Sequence, residues 1–332
     1  METDDKRSPG ETTSNSMRER ASASSFVERV YLARLRRLQN EDGGWGFNAG
    51  CESRIEPTTW ALVALHEFGS SLAVDETLDR GLRFLTGAQL ENGSWAAAPG
   101  QREGCWVTSL ACWALLAHRQ HATSLLRGLS WLNDDRPRDS GFWWLLARKL
   151  TDRRRINAQN ASFSGWSWTP RTASWVEPTC YALIVLRAEM AASPSDSRPR
   201  CKLAEAMLYD RMCPGGGWNC GNPRVYGVAG QPQVGPTVWA LVALHGNSQR
   251  PEVHESLDWL DSIQGTIQSP ESLALAHIGL GVYGRLNPVL TERLHSFHES
   301  ETLPLSVPAI AWAALAFSES SQWLNVVSST NS

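Results

Sequence analysis

The sequence predicts an all-α protein built from repeated helix pairs, and three observations carry that prediction. A Pro-Thr phrase recurs at the head of apolar, Ala-rich runs. A Q-x3-G-x-W phrase closes more polar runs lying between them. The two kinds of run alternate along most of the chain, as in helical hairpins that bury their faces only against neighbours.

The apolar runs come first in the argument because they define the repeat. Ile55-Glu56-Pro57-Thr58-Thr59-Trp60-Ala61-Leu62 returns as Val176-Glu177-Pro178-Thr179-Cys180-Tyr181-Ala182-Leu183 and as Val234-Gly235-Pro236-Thr237-Val238-Trp239-Ala240-Leu241. Trp106-Val107-Thr108 opens a looser copy, and Ser269-Pro270-Glu271-Ser272 and Ser306-Val307-Pro308-Ala309 open two more. Proline at the first helical position has its φ preset and gives up no needed donor, so each phrase reads as a helix start. The runs that follow are apolar on nearly every side, the mark of enclosed helices.

Between them, Phe26 to Leu38, Leu78 to Leu85, Leu203 to Tyr209 and Val253 to Leu260 carry apolar residues at helical spacing with Arg, Glu and Asp between. These are amphipathic and belong in an outer layer. Gln39-Asn40-Glu41-Asp42-Gly43-Gly44-Trp45 and Gln89-Leu90-Glu91-Asn92-Gly93-Ser94-Trp95 close two of the polar runs. The glycine permits a left-handed turn at a helix end, and the indole is placed to pack back on it. Gly165-Trp166 and Gly217-Trp218 are degenerate copies without the glutamine. The repeat count is six or seven pairs from Phe26 to Ser318, enough for an open solenoid or a closed double ring; the segment Ser140 to Ser167 is the hardest to place.

Composition sets the boundaries. The 332 residues carry a net charge of −3, too small to imply a nucleic-acid partner. Tryptophan is abundant, 16 against 5 Tyr and 8 Phe, which points to a repeated packing or binding task. Residues 1–24 read as a disordered polar leader, 25–320 as a single helical domain and 321–332 as a tail. The leader lacks the apolar centre of a secretory signal. Seven cysteines at spacings that match no zinc or redox motif fit a reducing cytoplasm.

The Q-x3-G-x-W phrase resembles the QW motif of squalene and oxidosqualene cyclases. The Pro-Thr helix starts resemble those of the cyclases and of protein prenyltransferase β subunits, and Tyr226 to Thr237 is similar to the Gly-rich loop preceding such a helix in the prenyltransferases. The resemblance to this terpenoid cyclase and prenyltransferase superfamily covers nearly everything after residue 25. It implies an α6/α6 toroid, a double-ring barrel whose inner helices line a cavity for an isoprenoid or another apolar small molecule. Triterpene cyclases have two such domains where this chain holds one. The Asp-x-Cys zinc ligands of the prenyltransferases have no counterpart here, so neither a metal nor another cofactor is expected. A β-like subunit needing a second chain, a non-catalytic lipid- or partner-binding toroid and peripheral membrane contact stay open.

Class II cyclases place their proton-donating acid two residues before a threonine at the start of an inner helix. This chain lacks their DxDD phrase, yet Glu56 and Glu177 stand two residues before Thr58 and Thr179. By resemblance they are the candidate catalytic acids, with Glu177 leading because Trp166, Trp168 and Trp175 flank it in sequence. A helix N-terminus favours the ionised carboxylate, whereas an apolar surround favours the protonated one; a general acid requires the second to win. The bland alternative pairs them with arginines such as Arg54 and Arg171. Trp60, Tyr181 and Trp239, with Thr58, Thr179, Thr237 and Trp175, are the candidate cavity residues, the rings stabilising cations through their faces or simply filling the core. Asp134-Asp135 reads as a charged turn, and His295 with His298 as a solvated helix face.

Overall fold

The computed structural model describes residues 26–69, 75–137, 141, 146, 159–160, 162–192, 198–299, 305–318 and 323. Those residues form a closed double ring of helices. A π-helical stretch, Glu28–Leu32, leads into α1 (Ala33–Arg37), followed by α2 (Ile55–Glu67), α3 (Glu76–Gly87), α4 (Val107–His118), α5 (Ala122–Asp134), α6 (Val176–Ala192) and α7 (Arg198–Asp210). A two-stranded hairpin, β1 (Arg224–Val225) and β2 (Val228–Ala229), precedes α8 (Val234–Ala243). Then come α9 (Pro251–Ile263), α10 (Pro270–Val282), α11 (Pro288–Glu299) and α12 (Val307–Ala316).

The even-numbered helices pack in a ring, α2 on α4, α4 on α6, α6 on α8, α8 on α10, α10 on α12 and α12 back on α2. The odd-numbered helices cover them: α3 lies on α2, α5 on α4, α7 on α6, α9 on α8 and α11 on α10. The first outer segment completes the set by covering the last inner helix, α12. Its Phe26 and Tyr31 pack against Phe317 at 5.8 and 6.1 Å. The double ring is therefore the architecture, and the open solenoid is excluded. Most of Ser140 to Ser167, along with the leader and nearly all of the tail, lies outside the described residues.

One hydrogen-bond unit recurs four times and explains the sequence phrases. The indole N–H groups of Trp45, Trp95, Trp166 and Trp218 donate to the carbonyls of Leu35, Leu85, Leu132 and Leu208 on the preceding outer helices, at 2.6–2.9 Å. The backbone N–H of each tryptophan donates to the hydroxyl of Thr58, Thr108, Thr179 or Thr237 on the inner helix that follows, each at 2.9 Å. One residue thus ties the end of an outer helix to the start of an inner one. Gln39 Nε2 donates to Gly43 O and on to Thr77 O of the next outer helix, and Gln89 Nε2 repeats this with Gly93 O and Ser124 O. Where the glutamine is missing, Arg200 stacks on Trp166 at 4.3 Å and donates to Gly165 O. Gly43 and Gly93 have φ of +88° and +90°, and a Cβ on either would lie 2.6 Å from a carbonyl oxygen of α3 or α5, so only glycine fits.

The helix starts differ from expectation in one respect. Helices α2, α6 and α8 begin two residues before their proline, at Ile55, Val176 and Val234. Proline still fits, because the first four N–H groups of a helix have no partner within it. Among the inner helices only α10 begins on its proline.

All these starts lie at one end of the ring. The N–H of Val307 donates to Phe47 O, that of Ile55 to Ala97 O, that of Trp106 to Trp168 O and that of Val176 to Cys220 O. Four of the six inner helix starts thereby hold the loop that leads into the next one, and the chain of contacts crosses the closure between α12 and α2.

Thr108→Val, which keeps shape and removes the acceptor of a buried N–H, is expected to lower unfolding stability by about 1–3 kcal/mol. Thr108→Ser should retain most of it. Urea denaturation of the full chain checks both; an unchanged midpoint in the valine variant would refute the role of the hydroxyl.

Candidate functional site

The inner helices share a register that builds a site at this end. Trp60, Tyr181, Trp239 and Trp312 each lie five residues beyond the first residue of their helix. At 1.5 Å per residue they form one layer about 7.5 Å below the helix starts. Trp60 and Trp239 project from helices on opposite sides of the ring and stack at 5.1 Å with an interplanar angle of 25°. Tyr181 meets both edge-on at 6.3 and 5.3 Å, and Trp312 meets both at 5.7 and 6.2 Å. Trp113, one residue deeper on α4, packs against Trp60 and Trp239 and donates its indole N–H to Trp323 O.

These rings close the bore. Trp60 and Trp113 are 0% exposed, Trp239 1% and Tyr181 4%, so no water-sized space borders the first three. Trp60, Tyr181 and Trp239, which the sequence leaves as either cavity wall or core, pack on one another because rings of this size meet across a six-helix ring. The expected role of Thr58, Thr179 and Thr237 in the cavity is likewise corrected. Their hydroxyls are fully buried and committed to the Trp–Thr units, and Thr179 also donates to Trp175 O at 2.6 Å. Trp175 is half-buried and pairs through its backbone with Trp166.

Above the layer is a rim. Residues four apart share a helix face, so Glu56 lies over Trp60, Glu177 over Tyr181 and Gly235 over Trp239. A Cβ on Gly235 would lie 3.7 Å from Glu177 Oε1, which places that carboxyl against the gap left by the glycine. Trp106 supplies the wall at α4, stacking on Tyr181 at 5.7 Å and meeting Trp168 edge-on at 4.7 Å. The result is a ring mouth with two half-buried carboxyls on its rim, over an aromatic layer that is all but sealed from water. Trp106, Trp312 and Gly235 were not among the expected site residues; for Trp312 the five-residue offset from the helix start is the signal that finds it.

Electrostatics at the rim answer the question left by the sequence. Both glutamates are half-buried, and burial pushes Glu177 from its ordinary 4.5 up to about 7. Burial also raises Glu56 to about 7, helped by the negative charges of Glu177 and Glu271. Desolvation therefore outweighs the helix N-termini. The expected arginine pairing is not formed: Arg54 binds Glu52 at 3.4 Å and Arg171 binds Glu103 at 2.8 Å. Among the described residues, neither Glu56 nor Glu177 has an ion-pair partner. The Tyr181 hydroxyl is held protonated by burial and by the charges of Glu177 and Glu56.

The other candidates resolve simply. Asp134 ends α5 and Asp135 follows in extended backbone, its carbonyl accepting from Arg200 and Arg136. His295 is not on a solvated face but packs on Phe26 and Phe317 at 4.6 and 4.4 Å. The side chain of His298 lies outside the described residues. Among the described residues no group of three or more His, Cys, Asp or Glu is arranged to hold a metal ion.

A carboxyl that keeps its proton to about 7 when folded, against 4.5 ordinarily, binds extra protons in the folded state between those values. Its stabilising effect is full below about 4.5 and is lost as pH rises through about 7. Unfolding stability should therefore fall across that window, and Glu56→Gln/Glu177→Gln should flatten the fall. A set of urea titrations at stepped pH measures it; parallel profiles for the two proteins would contradict the assignment.

No family model and no curated protein matches the chain. Among solved structures it is similar to a variant of the type II terpene cyclase MstE from Scytonema in complex with geranylgeranyl dihydroxybenzoate. The two share 15% identity over 93% of this chain and 99% of that one, with a TM-score of 0.41. For the apo form of the same cyclase the figures are 18%, 73%, 79% and 0.38. It is also similar to trypsin-activated α2-macroglobulin from Escherichia coli, at 17% identity and a TM-score of 0.44. That match covers 81% of this chain, which spans only 17% of the macroglobulin.

Proposed function

We propose that the mouth acts on an isoprenoid or comparable apolar alkene, with Glu177 as the proton donor. What supports this reading is one observation: two half-buried carboxyls without a cation partner, raised to about 7, over an aromatic floor. A general acid must hold its proton at working pH and yet release it readily, and a value near 7 meets both needs. Glu56, close enough to repel a second negative charge, discourages ionisation of its neighbour.

The chemistry is a proton transfer with no net consumption. The carboxyl O–H of Glu177 protonates the alkene, a carbocation forms, and the C=C electron pair becomes the new C–H bond. The faces of Tyr181 and Trp106 stabilise the positive charge through their quadrupoles. The cation, directly or after closing onto another double bond, loses a proton to the carboxylate, which restores the acid. Because Trp60, Trp239 and Trp113 fill the bore, the reacting alkene sits at the mouth and not along the axis.

A second reading has its own supporting observation. The filled bore favours a toroid that binds an apolar ligand or partner without chemistry. Incubating purified protein with squalene and with farnesyl and geranylgeranyl diphosphates, followed by mass analysis, separates the two. Turnover reduced by about 100-fold or more in Glu177→Gln is the expected result. Product formed equally by that variant would rule out Glu177 as the acid, and saturable binding without product would favour the second reading.

A further inference from the structure

The rim of the mouth repeats one register, and one of its positions is empty. Glu56, Glu177, Gly235 and Glu271 are each the second residue of their helices, α2, α6, α8 and α10. Three carry a carboxyl and the fourth carries nothing. Backbone shape does not require that glycine, whose φ lies outside the left-handed region. Close packing does not require it either. A Cβ at Gly81, Gly128 or Gly279 would meet a packed side chain at 2.8, 2.5 or 2.9 Å. At Gly235 the nearest atoms are Glu177 Oε1 at 3.7 Å and Leu275 Cδ1 at 4.0 Å. Both are ordinary contact distances, and alanine is the better helix former. The fold alone would accept a larger residue here.

Those two atoms also locate the gap. Glu177 is on α6 and Leu275 on α10, the inner helices on either side of α8. A side chain at position 235 would therefore project between its two neighbours, toward the axis of the ring. Its Cα–Cβ bond would tilt toward the helix N-terminus, which is the mouth side. Leu275 lies five residues beyond the first residue of α10, at the height of Tyr181 and Trp239, and is 6% exposed. Gly235 and Glu177 are half-buried above it. The gap is a notch one carbon wide, floored by Leu275, walled by the carboxyl of Glu177 and facing the mouth.

We propose that this notch is the route by which a carbon of the substrate alkene reaches Oε1 of Glu177, and that the missing side chain of Gly235 decides which alkenes are protonated. The inference rests on Glu177 as the proton donor. A carbon in the notch stands 3.7 Å from Oε1, close to the roughly 3–3.5 Å at which bound reacting atoms are held. Alanine at position 235 would put its own methyl where the reacting carbon belongs. A width of one carbon admits the CH= or CH2= end of an isoprenoid double bond and not its methyl-bearing end. The O–H bond of Glu177 then breaks and the C=C pair forms the new C–H bond at the slimmer carbon. Positive charge is left on the branched carbon, where its alkyl groups stabilise it. The notch thus selects trisubstituted and terminal alkenes over tetrasubstituted ones.

Access is tested without catalysis by labelling the full chain with N,N′-diisopropylcarbodiimide, whose slim N=C=N centre must reach the carboxyl as the alkene must. The carboxyl O–H adds across the reagent and the adduct rearranges to a stable N-acylurea with no group lost, so a labelled glutamate gains the reagent's mass. Peptide mass analysis reads Glu177 and Glu56 separately. Labelling of Glu177 is expected in the parent protein, and Gly235→Val should lower it about tenfold or more. Gly235→Ala should lower it by a smaller factor, with Glu56 unchanged in both variants. Thermal unfolding of the alanine variant should hold or rise; a fall would mean that the gap lacks room for one carbon and would overturn the proposal. So would an unlabelled Glu177 in the parent, equal labelling in the valine variant, or a matching drop at Glu56. Squalene turnover, measured alongside, should fall in the same order. Notch-dependent labelling with no turnover in the parent would uphold the access route and sink only the chemistry assigned to Glu177.

Discussion

The double ring depends on the unit made by a tryptophan between two helices. Its indole N–H ends an outer helix, and its backbone N–H and C=O meet one threonine hydroxyl on the inner helix that follows. Both donors are buried, and a buried donor left unpaired costs more than an ordinary hydrogen bond contributes. The unit is thus enforced by the penalty for breaking it. Because the tryptophan is fully buried in four successive copies, it also fixes the spacing between layers. Everything at the mouth follows from that spacing, since it sets the inner helices at a common height.

The architecture was legible because each part of this unit leaves a mark in the sequence. Gln39 and Gln89, the glycines at 43 and 93, and the threonines after Pro57, Pro178 and Pro236 are local requirements, and local requirements survive as spacing. The helix boundaries were less so: α2, α6 and α8 start two residues before their prolines, since a missing N–H is tolerated anywhere in the first turn. The substitution of Arg200 for the glutamine, acting from another helix, leaves no local trace at all.

The site was legible by half. Glu56 and Glu177 could be picked out, and the balance between helix end and desolvation could be stated, but its outcome depends on which charges come near. That is a tertiary matter: Arg54 and Arg171 are adjacent in sequence to helix starts and yet bind Glu52 and Glu103. The aromatic positions show the same limit. One large ring per inner helix reads equally as pocket wall or as core, and only the common height of Trp60, Tyr181, Trp239 and Trp312 decides that they meet and fill the bore. Trp106 could not be valued before its stacking on Tyr181 was known.

The offset between the layers has a topological consequence. The first outer segment does not cover the helix it leads into but the last inner helix of the chain, so the two extremes of the helical domain complete each other. Until α12 is made and folded, the growing structure is an arc with two complementary, uncovered ends. Each end is the other's partner, and a second copy of the chain offers the same pair.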